Sequence, residues 1–142
     1  MTDLAFHFNA PDRVAYACRL LRKAVGSGAK VVVVGPEETL AQLDTALWTF
    51  SATDFVPHST LGAEAHVLQA TPVVLCTSTA QVPHQQILLN LGPTVPPGFD
   101  RFERVIEVVS QDDDDKLLAR GRWKHYTEAG YAITRHDLNL KS

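Results

Sequence analysis

The chain has 142 residues, 45% hydrophobic and 20% charged, with a formal net charge of −3. That length fits one domain with a sizeable core, and the acidic balance excludes a protein whose main business is coating nucleic acid, which needs a basic surplus. Any acidic partner must therefore be met by a local cationic patch.

Leu4 to Phe8 (LAFHF) alternates and is β-prone, and Asn9-Ala10-Pro11-Asp12 supplies helix-start chemistry. Val14, Ala17, Cys18, Leu21, Ala24 and Val25 then recur at helical spacing until Gly26-Ser27-Gly28. The N-terminal MTDLAFHFNAPD has neither the basic nor the apolar region of a secretory signal, and the apolar runs fall far short of a membrane span. Cys18 and Cys76 both lie in apolar segments and are too few for a disulfide framework. The expectation is a soluble, cytoplasmic protein with buried, reduced thiols and no membrane partner.

Lys30 to Val34 (KVVVV) is an unbroken β-branched run suited to a strand buried on both faces, as in a parallel sheet. Gly35 to Thr39 turns into a helix whose stripe is Leu40, Leu43, Ala46 and Leu47, closed by Trp48. This βαβα opening is the signature of an α/β domain. Asp54 to His58 (DFVPH) brings two apolar residues into a segment that Pro57 keeps from being a central strand. Ser59 to Ala70 reads as an irregular surface loop. Pro72–Thr77, Gln86–Leu91 and Arg104–Ser110 read as strands, Gly92 to Gly98 as neither regular structure, and Phe99 to Phe102 as a short helical turn. A single α/β domain over residues 1–142 is expected, its mainly parallel or mixed sheet flanked by helices. No element is assigned beyond Tyr131.

The last helix, Asp112 to Gly130, has its charge sorted along the chain. Four aspartates come first, where unpaired N–H groups favour negative charge, and Lys116, Arg120, Arg122 and Lys124 follow. Asp112 or Asp113 is a candidate N-cap, and Gly130 stands where a C′ glycine ends a helix. At helical spacing Lys116, Arg120, Trp123 and Lys124 share one face, a cationic strip with an indole among the charges. Leu118, Ala119, Tyr126 and Ala129 are assigned to the opposite, core-facing side. Arg122 projects with that apolar set and reads as a structural arginine paired to an internal carboxylate. The basic face is either a solvated helix surface or a site for a short acidic peptide with an aromatic or apolar anchor.

Catalytic and ligand motifs are missing. The turn Gly35-Pro36-Glu37-Glu38 stands where α/β proteins cradle phosphate, yet neither GxxxxGK[ST] nor GxGxxG is there. The six histidines form no ligand pair, Cys76 lies outside any nucleophile elbow, and the aspartates lack calcium-loop spacing. No cofactor, metal or catalytic residue is therefore assigned, and binding is the expected function. A degenerate nucleotide-binding or nucleotide-hydrolysing domain is the alternative, and direct single-strand binding by the basic face a third reading. Trp48, Phe55 and Pro57 offer a second cluster, with the composition of either an interaction hot spot or a core filling.

The strings LDTALW (43–48) and DFVPH (54–58), with LLARGRWKHYTEAGY (117–131), resemble the chi subunit family of bacterial DNA polymerase III holoenzyme, and the similarity runs over essentially the whole chain. The resemblance implies a clamp-loader accessory subunit without enzymatic activity, whose α/β fold is similar to nucleotide-binding domains but lacks their phosphate site. It implies two partners: the psi subunit, and through it the clamp loader, and the acidic C-terminal tail of single-stranded DNA-binding protein, so that DNA is reached only indirectly. On that model Arg120, Lys124 and Lys116 take the tail's carboxylates, and Trp123 packs near its terminal Pro-Phe. Trp48, Phe55, Val56, Pro57 and His58 take the psi contacts.

Overall fold

The computed structural model describes residues 2–49, 58–60, 72–79, 82 and 84–138, with backbone alone at 48–49 and 58–60. In chain order these form β1 (Asp3–Ala10), α1 (Arg13–Gly26), β2 (Val31–Val34), α2 (Glu37–Thr49), β3 (His58–Thr60), β4 (Val73–Cys76) and β5 (Ile87–Asn90). A 3-10 turn (Phe99–Arg101), β6 (Arg104–Ser110), α3 (Asp113–Glu128) and β7 (Ile133–Asp137) follow.

The strands make one seven-stranded sheet in the order β3-β4-β2-β5-β6-β1-β7, and every pairing in it is parallel. The reason is visible in β2, whose four valines are all buried. Alternate side chains serve opposite faces: Val31 and Val33 join Cys18, Leu21, Leu43 and Leu47 of α1 and α2 in one core. Val32 and Val34 join Phe6, Val105, Ala119 and Tyr126 in the other, under α3. A sheet covered on both faces can afford a continuous apolar run, which is why β2, β4 and most of β5 carry one.

Helix ends follow local chemistry. Asp12 caps α1 by accepting from the Ala15 N–H at 3.1 Å, and Asp112 caps α3 by accepting from the Asp114 N–H at 2.8 Å. Gly130, at φ 93°, closes α3. Its own N–H donates to the Thr127 carbonyl and that of Tyr131 to the Tyr126 carbonyl, both at 3.1 Å, in a Schellman arrangement.

Two expectations are revised. Ser59 and Thr60 are not loop: they belong to β3, opposite Val74 and Leu75, while 61–70 lies outside the described residues. Beyond Tyr131 the chain adds β7, which pairs with β1 from Leu4↔Ile133 to Phe8↔Asp137. Among the described residues, no helix is long and apolar enough to cross a membrane.

Candidate functional site

The phosphate position can be judged first. At the carboxyl ends of β2 and β5, Gly35 and Gly92 pack so closely that a Cβ on Gly35 would lie 3.3 Å from the Leu91 Cβ. The donors a phosphate would need are engaged: the Gly35 N–H donates to the Cys76 carbonyl at 3.2 Å, and the Gly92 N–H to Asn90 Oδ1 at 2.9 Å. Pro36 has none to offer. The hollow there is walled by Pro93, Pro96 and Pro97 with Thr77 and Ser78, and among the described residues no cation lines it.

A different site forms where α3 crosses the end of β1. A network in the core sets the rotation of the helix. Arg122 Nε donates to Glu107 Oε1 at 3.0 Å, Tyr126 OH to Glu107 Oε2 at 2.7 Å, and Asn90 Nδ2 to the same oxygen at 2.9 Å. Arg122 Nη1 reaches the Pro93 carbonyl at 3.2 Å. Burial pushes the Glu107 carboxyl above the ordinary carboxylate range, opposed by the Arg122 charge and by the three hydrogen bonds. Arg122 thus has the internal carboxylate partner expected of it, on β6.

The buried side of α3 is Ala119, Arg122 and Tyr126, with Trp123 half-buried beside them. These follow the i, i+3, i+4, i+7 spacing of a single stripe. The assignment of Leu118 and Ala129 to the core side is therefore corrected: Leu118 is 48% exposed and Ala129 is exposed too. The stripe keeps Ala119, Arg122 and Tyr126 but is turned towards Trp123, away from Leu118 and Ala129.

With the helix held this way, Lys116, Arg120 and Trp123 line a groove of about 460 Å³ together with Ala119, Phe8, Asn9 and Arg135. Its floor is aromatic. Trp123 lies 5.1 Å from Phe6 and 5.9 Å from Phe8, centroid to centroid, distances typical of favourable tilted pairs. The opposite wall comes from β1 and β7. Asn9, in the left-handed region at φ 65°, interrupts the β1–β6 register between His7 and Ala10, and its Nδ2 donates to Asp137 Oδ1 at 2.8 Å.

Of the cationic strip, the structure brings Lys116, Arg120 and Trp123 into this groove. Lys124 projects outside it, 76% exposed and 3.9 Å from Glu128 Oε1. Phe8, Asn9 and Arg135 were not foreseen as lining residues; the Phe6/Phe8 alternation was a usable signal, but nothing local marks Arg135. Of the second cluster, Trp48 falls in the last turn of α2 and His58 opens β3. Their side chains, and Phe55, Val56 and Pro57 altogether, lie outside the described residues.

The aspartates at the start of α3 are accounted for by capping and by Asp115, which accepts from the Ser110 N–H at 2.8 Å and faces Arg13 at 3.7 Å. Among the described residues no group of three or more histidines, cysteines or carboxylates could hold a metal ion.

These features define a parallel α/β protein whose phosphate position is closed by proline and glycine, and which carries a cationic groove suited to a ligand with both negative charge and an apolar group. Residues 1–134 match the model of the family described as DNA polymerase III chi subunit, HolC. The chain is 32% identical over 127 residues to a Pseudomonas aeruginosa protein named DNA polymerase III subunit chi, covering 89% of this chain and 87% of that one. It is 30% identical over 117 residues to the protein of that name from Escherichia coli, covering 82% and 79%. With the Haemophilus influenzae protein of that name it shares 28% over 123 residues, covering 86% and 85%. The chain belongs to the DNA polymerase III chi subunit family, accessory subunits of a replicative polymerase.

Proposed function

We propose that the protein is a non-catalytic replication adaptor. Its groove holds the acidic C-terminal tail of single-stranded DNA-binding protein, while Trp48, Phe55, Val56, Pro57 and His58 meet the psi subunit and through it the clamp loader. The observation that supports the first contact best is the meeting of Lys116, Arg120 and Arg135 around the Phe8–Trp123 floor. Cations on the walls pair with carboxylates, and the rings receive the apolar end of the tail. DNA is reached through the protein that coats it, so a net charge of −3 is no obstacle.

Fluorescence anisotropy of a labelled acidic peptide ending in Pro-Phe tests this reading. Saturable binding in the micromolar range, about −8 kcal/mol, is expected, weakened several-fold by Arg120→Ala and by Lys116→Ala. Lys124→Ala is expected to cost less, because Lys124 stands outside the groove and faces Glu128. A correctly folded parent that binds no peptide would sink the tail-binding role. For the second contact, calorimetric titration with psi should show binding that Trp48→Ala abolishes. Titration with ATP and magnesium should show none, since the donors at Gly35 and Gly92 are already engaged.

A further inference from the structure

We infer that Arg135, on the last strand of the sheet, reads the terminal α-carboxylate of the peptide in the groove; this rests on the tail-binding reading above. The cations on the helix wall are Lys116 and Arg120, whereas Arg135 comes from the opposite wall. Its guanidinium carbon lies 4.9 Å from the centroid of the Phe8 ring, over the ring's face. Among the described residues it is thus the cation that lies over the aromatic floor itself.

A terminal aromatic residue carries its ring and its free carboxylate on the same Cα. When the ring seats on Phe8 and Trp123, the carboxylate is delivered beside that floor, where the Arg135 guanidinium lies over the Phe8 ring. Side-chain carboxylates further back along the peptide are left to Lys116 and Arg120. Arginine suits the task better than lysine, because its two parallel N–H donors match a carboxylate in a rigid fork.

The surroundings of Arg135 leave that fork available. Among the described residues its charge partner is Asp137, whose Oδ2 is 4.0 Å from Nη2, and Arg135 remains 63% exposed. Asp137 is itself tied through Oδ1 to Asn9 Nδ2 at 2.8 Å. The strand pairing Phe6↔Arg135 and Phe8↔Asp137 sets Arg135 next to the floor.

The test compares two labelled peptides, identical except that one ends in a free carboxylate and the other in an amide, against the parent and the Arg135→Ala, Arg135→Met and Arg135→Lys proteins. Arg135→Met keeps an apolar stem over Phe8 without the charge, and circular dichroism establishes that each variant is folded. Arg135→Ala and Arg135→Met are expected to weaken the free-acid peptide about tenfold and the amide less than twofold, with Arg135→Lys between. Equal losses for the two peptides would overturn the inference while keeping the tail-binding reading, since Arg135 would then act as general positive charge. Undiminished affinity for the free-acid peptide in both neutral variants would overturn it as well. If the parent binds neither peptide, the tail-binding reading falls and this inference falls with it.

Discussion

Glu107 receives hydrogen bonds from Arg122, Tyr126 and Asn90 in a place where water does not reach. A buried pair of this kind is weak evidence for added stability, but removing one member strands the other. Arg122→Met is therefore expected to cost about 3–5 kcal/mol in urea unfolding. The Arg122→Met, Glu107→Gln double variant should recover part of that loss, because no charge is left unpaired. The two thiols give a second test at this scale. Burial pushes both Cys18 and Cys76 up to about 11 from 9.0, so they stay protonated and unreactive in the folded chain. A disulfide reagent at pH 8 is expected to label neither until denaturant is added. As the pH rises beyond 9.0 the unfolded chain ionises these thiols before the folded chain does, so stability present below that point is lost progressively towards pH 11.

Among the elements, α3 carries most of the consequence, because one helix supplies Lys116, Arg120 and Trp123 to the groove and Arg122 and Tyr126 to the core. Its caps should therefore be felt in binding as well as in stability. Asp112→Ala removes the acceptor for the Asp114 N–H and is expected to cost about 1 kcal/mol. Gly130→Ala places a side chain at φ 93° and should cost about as much. Both values are read from thermal unfolding. The caps were legible in the sequence because they depend on one or two residue types at fixed offsets. The phase of the helix is only half legible: the apolar count puts Arg122 inward but draws the stripe towards Leu118 and Ala129, whereas the buried side is Ala119, Arg122 and Tyr126 with Trp123 beside them. β7 escaped altogether. Its side chains are mostly exposed, and backbone pairing to β1 rather than an apolar pattern holds it. Arg135 was invisible for the same reason, since its role depends on a strand whose existence nothing local announces.

For the molecule as a whole, the two proposed contacts differ in kind, and ionic strength should separate them. Screening shortens from about 10 Å at 0.1 M salt to 3 Å at 1 M, so tail binding should weaken several-fold across that range. Association through the proposed psi contact, whose residues Trp48, Phe55, Val56 and Pro57 are uncharged, should hardly change. Anisotropy and calorimetry at matched salt would read the contrast.

The order of strands also fixes a length. Among the described residues β3 and β7 are the two outermost strands, with five between them. Six inter-strand steps at about 4.8 Å make a span of roughly 29 Å. None of the residues proposed for the psi contact is among the described residues lining the groove, so occupancy of one contact should leave affinity at the other unchanged. The chain would then act as a crossbar of set length. Were the groove to let go of one tail, the proposed psi contact would hold the chain at the fork, close to the next.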